Sequence, residues 1–155
     1  QKARELASCR LDGDLLFAFD NIKDKETVIE KMKIINPIFQ ESKRIKFYVL
    51  VGFDAGGRYD RTFWERDILQ AFERIRILME LRAYPYIMRY EKYQESPYRG
   101  MYVNLSRWCN QPQMYKQMSF REFCHLSKEG SACRTYLEEY ERDFPEISSY
   151  FDMKF

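Results

Sequence analysis

The chain has 155 residues, enough for one domain with a substantial core. Its 26 Lys and Arg against 24 Asp and Glu leave a formal net charge of only +2, which argues against a general nucleic-acid coat. No run approaches the roughly 18 apolar residues of a membrane span, and no cationic start with an apolar stretch marks a signal peptide, so the expectation is a cytoplasmic protein without a membrane partner.

The first two-thirds alternate between two hydrophobic periods. Leu15 to Phe19 is a short continuous apolar run that ends at Asp20, which suits a strand covered on both faces. Asp24 is placed to cap a helix, and Val28, Met32, Ile35 and Phe39 follow at helical spacing. Pro37 lacks an amide hydrogen, so a kink or an end is expected near Asn36. Ile45 to Val51 reads as the second strand, closed by Gly52. Thr62-Phe63-Trp64-Glu65 reads as a capping box opening a long helix with Ile68, Phe72, Ile75 and Met79 on one face. Tyr84 to Tyr90 reads as a third strand, with Pro85 tolerable only near its start.

Strand–helix–strand–helix–strand packs most simply as a parallel sheet. Beyond Tyr90 the pattern changes. Glu91 to Gly100 reads as a polar loop and Met101 to Leu105 as a further short strand. Pro112 suits the first turn of a helix, Ser119-Phe120-Arg121-Glu122 is a second capping box, and Arg134 to Arg142 reads as a last helix ending before Pro145. The whole of 1–155 is expected to form one domain, with strand–helix units over 1–106 and a helical extension over 107–155.

Composition restricts the chemistry. With His125 as the one histidine, multi-histidine metal sites are excluded, and no nucleophile-elbow motif supports a triad. The cysteines Cys9, Cys109, Cys124 and Cys133 lack zinc-ribbon or thioredoxin spacing, and free thiols are expected. Cys109, Cys124, Cys133 and His125 form at most an irregular cluster, and buried apolar packing of the thiols is the simpler reading.

Ligands of parallel sheets bind beyond the carboxyl ends of the strands. Those ends are Asp20-Asn21, Gly52-Phe53-Asp54 and Met88-Arg89-Tyr90. A carboxylate after one strand holds ribose hydroxyls, a glycine after the next lets backbone approach a base, and apolar side chains on the third cover it. The blander alternative is that Asp20 starts a turn and Gly52 permits one.

The stretch from Leu16 to Tyr90 resembles the second half of a radical S-adenosylmethionine enzyme core. The resemblance rests on Phe17-Ala18-Phe19-Asp20, on Phe47 to Asp54 and on Pro85-Tyr86-Ile87-Met88-Arg89-Tyr90. It implies half of a partial TIM-like barrel with S-adenosylmethionine as cofactor. Asp20 would meet the ribose, Leu50 and Gly52 would belong to a glycine-ended motif, and Tyr86 and Ile87 would lie at the adenine. The acid expected three residues after that glycine is replaced by Ala55, with Asp54 one place earlier. The tail, Arg107-Trp108-Cys109-Asn110-Gln111-Pro112 with Ser119 to Cys124, is similar to the C-terminal region of one subgroup of such proteins.

The family's CxxxCxxC motif, whose thiolates hold a four-iron four-sulfur cluster, is absent from this sequence. The cluster would therefore come only from upstream sequence. The chain starts at Gln1, not Met, which fits a piece of a longer enzyme, inactive alone. Arg89, Asn104 and Arg107 are the substrate-side candidates, for a substrate that stays unknown. No residue is assigned as catalytic. Two alternatives remain. The Tyr and Arg residues interleaved from Tyr84 to Trp108 suit single-stranded nucleic acid, and an exposed sheet edge suits homo-oligomerisation.

Overall fold

Each of the first two strands hands the chain to a helix that returns it to the same end of the sheet. In the computed structural model, which describes residues 1–9, 12–39 and 44–155, β1 is Leu15–Ala18, β2 is Ile45–Val51 and β3 is Tyr84–Arg89. They lie in the order β1-β2-β3, and both pairings are parallel. Parallel neighbours need a long crossover, which α2 (Lys25–Phe39) and α3 (Arg61–Glu80) supply. A short helix, α1 (Lys2–Ser8), precedes the sheet. After β3 come α4 (Arg99–Cys109), α5 (Pro112–Gln117), α6 (Phe120–His125), α7 (Ala132–Asp143) and α8 (Ser148–Phe151). The protein is thus α/β, with a three-stranded parallel sheet and eight α-helices among the described residues.

The core lies on one side of the sheet. Alternation along β2 sends Ile45, Phe47, Val49 and Val51 to that side, and all four are buried. They meet α3, whose Ile68, Phe72, Ile75 and Met79 are buried at helical spacing. The tail packs onto the same core. Phe72 meets the rings of Phe120 at 5.0 Å and Phe151 at 5.2 Å, and Trp108 meets Phe120 at 5.5 Å. Each such fully buried ring contributes about 1.5–3 kcal/mol of burial energy. Gly100 lets α4 approach α7: a Cβ there would sit 2.0 Å from the Tyr136 ring.

Four local expectations are corrected. Met101 to Leu105 is helical, not a strand. The buried Met101, Tyr102, Leu105, Trp108 and Cys109 follow a helical period that only the longer window reveals. α2 does not end at Asn36 but runs through Pro37 to Phe39. Pro37 is exposed in the last turn, where the carbonyl it leaves bare can meet water, and Asn36 Nδ2 donates to Leu81 O at 2.9 Å. Asn21, not Asp24, makes the cap ahead of α2, its side chain accepting from the Lys23 amide within a 3-10 turn over Ile22–Asp24. Asp60 caps α3 by accepting from Phe63 N at 2.9 Å, and Thr62 lies inside the helix. The box at Ser119 and Glu122, by contrast, forms in full.

Candidate functional site

The other side of the sheet is bare. Leu16, Tyr48, Tyr86 and Met88 project there and are 52%, 36%, 42% and 46% exposed. Register sets them in rows: Ala18, Tyr48 and Tyr86 lie side by side, and Leu50 lies beside Met88. Tyr48 and Tyr86 meet edge to face at 5.8 Å. Parallel sheets are normally covered on both faces. Every large exposed apolar side chain among the described residues except Leu126 lies on this face, beyond its upper end (Phe53), or in a groove beside β1 (Leu6, Ile34). That groove, of about 750 Å³, runs between α1 and α2 and is floored by Phe17, Ile35 and Phe39.

Asp20 stands two residues beyond β1 at the carboxyl end. It is exposed, and its Oδ1 accepts from Leu50 N at 2.9 Å. Behind it lies a buried polar network that sequence reasoning missed. Arg74 is 2% exposed and Asp67 8%. Arg74 Nη1 donates to Phe19 O at 2.9 Å and Leu50 O at 3.0 Å, bracing the ends of β1 and β2. Asp67 Oδ2 accepts from Gly52 N at 2.7 Å and from the Tyr102 hydroxyl at 2.8 Å. Burial pushes the Asp67 carboxyl up, and the Gly52 amide, the Tyr102 hydroxyl and the Arg74 charge partly offset this. Burial lowers Arg74, with Asp67 and Asp20 opposing. Polar residues at 67 and 74, seven apart on the apolar face of α3, were the available signal.

Gly52 adopts φ +76°, and a Cβ there would lie 3.1 Å from the Tyr93 Cβ. The close approach this glycine permits is thus made by Tyr93. Asp54 organises its own turn, with Oδ2 accepting from Arg58 N at 2.8 Å. Ile87 is buried on the core side, whereas Tyr86 belongs to the bare face. Arg89 is exposed and lies over the Tyr93 ring at 4.7 Å, donating to its hydroxyl at 3.2 Å. Asn104 is buried against α7, donating to Cys133 O at 3.1 Å. Arg107 is exposed over Phe123, so the structure does not bring Arg89, Asn104 and Arg107 together. Tyr98, Tyr102 and Trp108 of the ring-rich segment are core residues.

Of the side chains expected at S-adenosylmethionine, Asp20 and Tyr86 are exposed, Leu50 is half-buried and Ile87 lies on the core side. The amides of Leu50 and Gly52 and the carbonyls of Phe19 and Leu50 already have partners within the chain. An iron–sulfur cluster does not fit: among the described residues no three His, Cys, Asp or Glu side chains group to hold a metal. No helix among them is long and apolar enough to cross a membrane. Comparison of the chain with protein-family models, curated proteins and solved structures returned no match.

Proposed function

We infer that this chain is the C-terminal, substrate-side half of a radical S-adenosylmethionine enzyme, inactive by itself. The bare apolar face of the parallel sheet carries this reading. In a strand–helix barrel one sheet face meets the helices and the other meets the interior. Here one face has its helices, and on the other Leu16, Ala18, Tyr48, Tyr86 and Met88 are exposed among the described residues, with Leu50 half-buried between them. The barrel would therefore be partial, with the occupant of this face supplied by preceding strand–helix units.

The two sheet edges support the same direction of growth. The outer edge of β3 is occupied, because Asn110 bonds both the amide and the carbonyl of Ile87. β1 instead faces the apolar groove beside α2, lightly roofed by α1, which has no buried residue. A further strand and helix would pair with β1 and fill that groove. Asp20 would accept a hydrogen bond from a ribose hydroxyl, and Leu50 and Tyr86 would flank the base. The cluster, when supplied by the other half, would provide the electron for reductive cleavage.

The test is equilibrium binding of S-adenosylmethionine to the chain by calorimetry. Weak binding that Asp20→Ala abolishes and Asp54→Ala retains is expected. Binding unaffected by Asp20→Ala, or absent altogether, counts against the site. Salt-sensitive oligonucleotide binding or concentration-dependent dimers in its place would favour a nucleic-acid module or a scaffold.

A further inference from the structure

A file of four aromatic rings crosses the protein from the loop after β2 to the turn after β3. Tyr59, half-buried in the first loop, stacks on Trp64 of α3 at 5.5 Å. Trp64 meets Tyr102 of α4 at 6.0 Å, and Tyr102 meets Tyr93 at 6.2 Å. At these separations neighbouring rings are in contact. Trp64 and Tyr102 are 3% and 0% exposed, whereas Tyr93 is half-buried under Arg89. Both ends of the file are thus partly open to solvent and its middle is dry. Tyrosine and tryptophan are the side-chain rings that give up one electron most readily.

The hydroxyl of Tyr102 sets it apart. Tyr102, Tyr115 and Tyr140 are all fully buried. Tyr115 donates to Ala83 O at 3.2 Å and Tyr140 to Glu65 O at 2.9 Å, and a backbone carbonyl is too weak a base to take a proton. Tyr102 donates at 2.8 Å to Asp67 Oδ2, a carboxylate oxygen that can take one. A phenol that loses an electron becomes a strong acid, so its oxidation in a dry core needs a base already in contact. Burial and the Asp67 charge push the Tyr102 hydroxyl up, so it is a neutral phenol before the electron leaves.

We propose that these four rings are a one-electron route and that Tyr102 is its redox-active end point, with the Asp67 carboxylate as proton acceptor. An outer-sphere oxidant of the metal-polypyridyl class takes one electron from Tyr59 or Tyr93. The vacancy passes to Tyr102, through Trp64 from the Tyr59 end and directly from Tyr93, and the entry ring is restored. Tyr102 loses one electron, and its phenolic proton moves along the existing hydrogen bond to Asp67. The products are a neutral tyrosyl radical at Tyr102, a carboxylic acid at Asp67 and the oxidant reduced by one electron.

The experiment oxidises the folded chain in mildly alkaline buffer with photogenerated ruthenium(III) tris-bipyridine. Samples are frozen after increasing delays and read by electron paramagnetic resonance. Radicals on exposed tyrosines couple and vanish, and one tyrosyl signal is expected to outlast them. A soluble gadolinium chelate is expected to leave that signal unbroadened. Tyr102→Phe is expected to lose it, Asp67→Asn to shorten its life, and Tyr115→Phe and Tyr140→Phe to keep it. Tyr59→Phe combined with Tyr93→Phe is expected to lower its yield. Circular dichroism checks the fold of each variant, and if Tyr102→Phe does not fold, the chelate and the Tyr115 and Tyr140 variants decide. The proposal is overturned if no tyrosyl signal outlasts the exposed ones, or if the lasting signal survives Tyr102→Phe, is broadened by the chelate, is lost with Tyr115 or Tyr140, or keeps its full yield in the double variant. The oxidant is external, so each outcome is independent of S-adenosylmethionine binding.

Discussion

Asn110 and Ile87 exchange two hydrogen bonds: Ile87 N donates to Asn110 Oδ1 at 2.7 Å, and Asn110 Nδ2 donates to Ile87 O at 3.0 Å. The carboxamide thereby stands in for a neighbouring strand at the outer edge of β3. An unpaired edge is a template for association, and this edge is closed by a side chain from the end of α4. Asn110→Ala leaves an amide and a carbonyl of β3 unpaired. It is expected to cost about 2 kcal/mol in urea unfolding, with each unmade buried bond worth roughly 1–3 kcal/mol. Asn110→Asp keeps the acceptor but has no donor for Ile87 O when ionised, and at a pH that protonates the new carboxyl, whose O–H can donate, it is expected to fall between wild type and alanine.

Arg74 is a second tie, inside the core. Arg74→Met strips the donor from Phe19 O and Leu50 O and removes the cation nearest Asp67. Breaking one partner of such a buried charged network costs about 3–5 kcal/mol. Adding Asp67→Asn to Arg74→Met is expected to cost less than the sum of the single changes, since the uncompensated carboxylate is then gone. Denaturant midpoints of the four chains decide this.

Gly52 and Gly57 separate two effects of a positive φ. They have φ +76° and +70°, but a Cβ at Gly57 meets nothing within 4 Å, whereas one at Gly52 lies 3.1 Å from Tyr93. Gly57→Ala is expected to cost about 1–2 kcal/mol from backbone conformation alone. Gly52→Ala is expected to cost clearly more, because Tyr93 must also move. Equal losses in thermal unfolding would mean that Tyr93 yields freely.

The pH dependence of stability contains two opposed contributions. Burial raises Asp67 in the folded state, so the native chain holds this proton more tightly than the unfolded chain. Its contribution is most favourable below the unfolded carboxylate pKa of about 3.9 and declines as pH rises through the raised native value. Hydrogen bonds from Arg121 hold Glu141 below its usual value, so its contribution is present above about 4.3 and is lost as pH falls through the lowered native value. Unfolding measured from pH 3 to 7 is expected to show Asp67→Asn gaining on wild type as pH rises. Glu141→Gln is expected to gain on wild type as pH falls.

Much of the fold was legible because its signals are local and periodic. The continuous run at Leu15, the β-branched and aromatic run of Ile45 to Val51 and the apolar face of α3 need only a few neighbouring residues to be read. Met101 to Leu105 misled because a five-residue stretch, apolar but for Asn104, fits either period, and the decisive Trp108 and Cys109 lie beyond it. Asp20 was legible as a strand-end carboxylate. Asp67 and Arg74 were not, since each interrupts an apolar face for a partner 15 and 55 residues away in sequence. Asn104 and Arg107 looked accessible because their surroundings on α4 are tertiary. α7 buries one, and Phe123 turns the other along the surface.

The bare face itself is testable by charge. Met88→Lys and Tyr86→Lys are expected to change the stability of this chain by no more than about 0.5 kcal/mol, as surface substitutions do. Both are expected to lower the binding of an apolar fluorescent dye. Ile87→Lys, on the core side of the same strand, is expected to prevent folding. A large loss from Met88→Lys would mean that the face is covered.

The proposed function makes this sheet half of a barrel whose cluster-bearing half precedes it. The most direct measurement is the coding sequence ahead of Gln1. A CxxxCxxC about a hundred residues upstream, following a strand, is expected, as three preceding strand–helix units of about 30 residues each require. An initiator methionine immediately before Gln1 would contradict it.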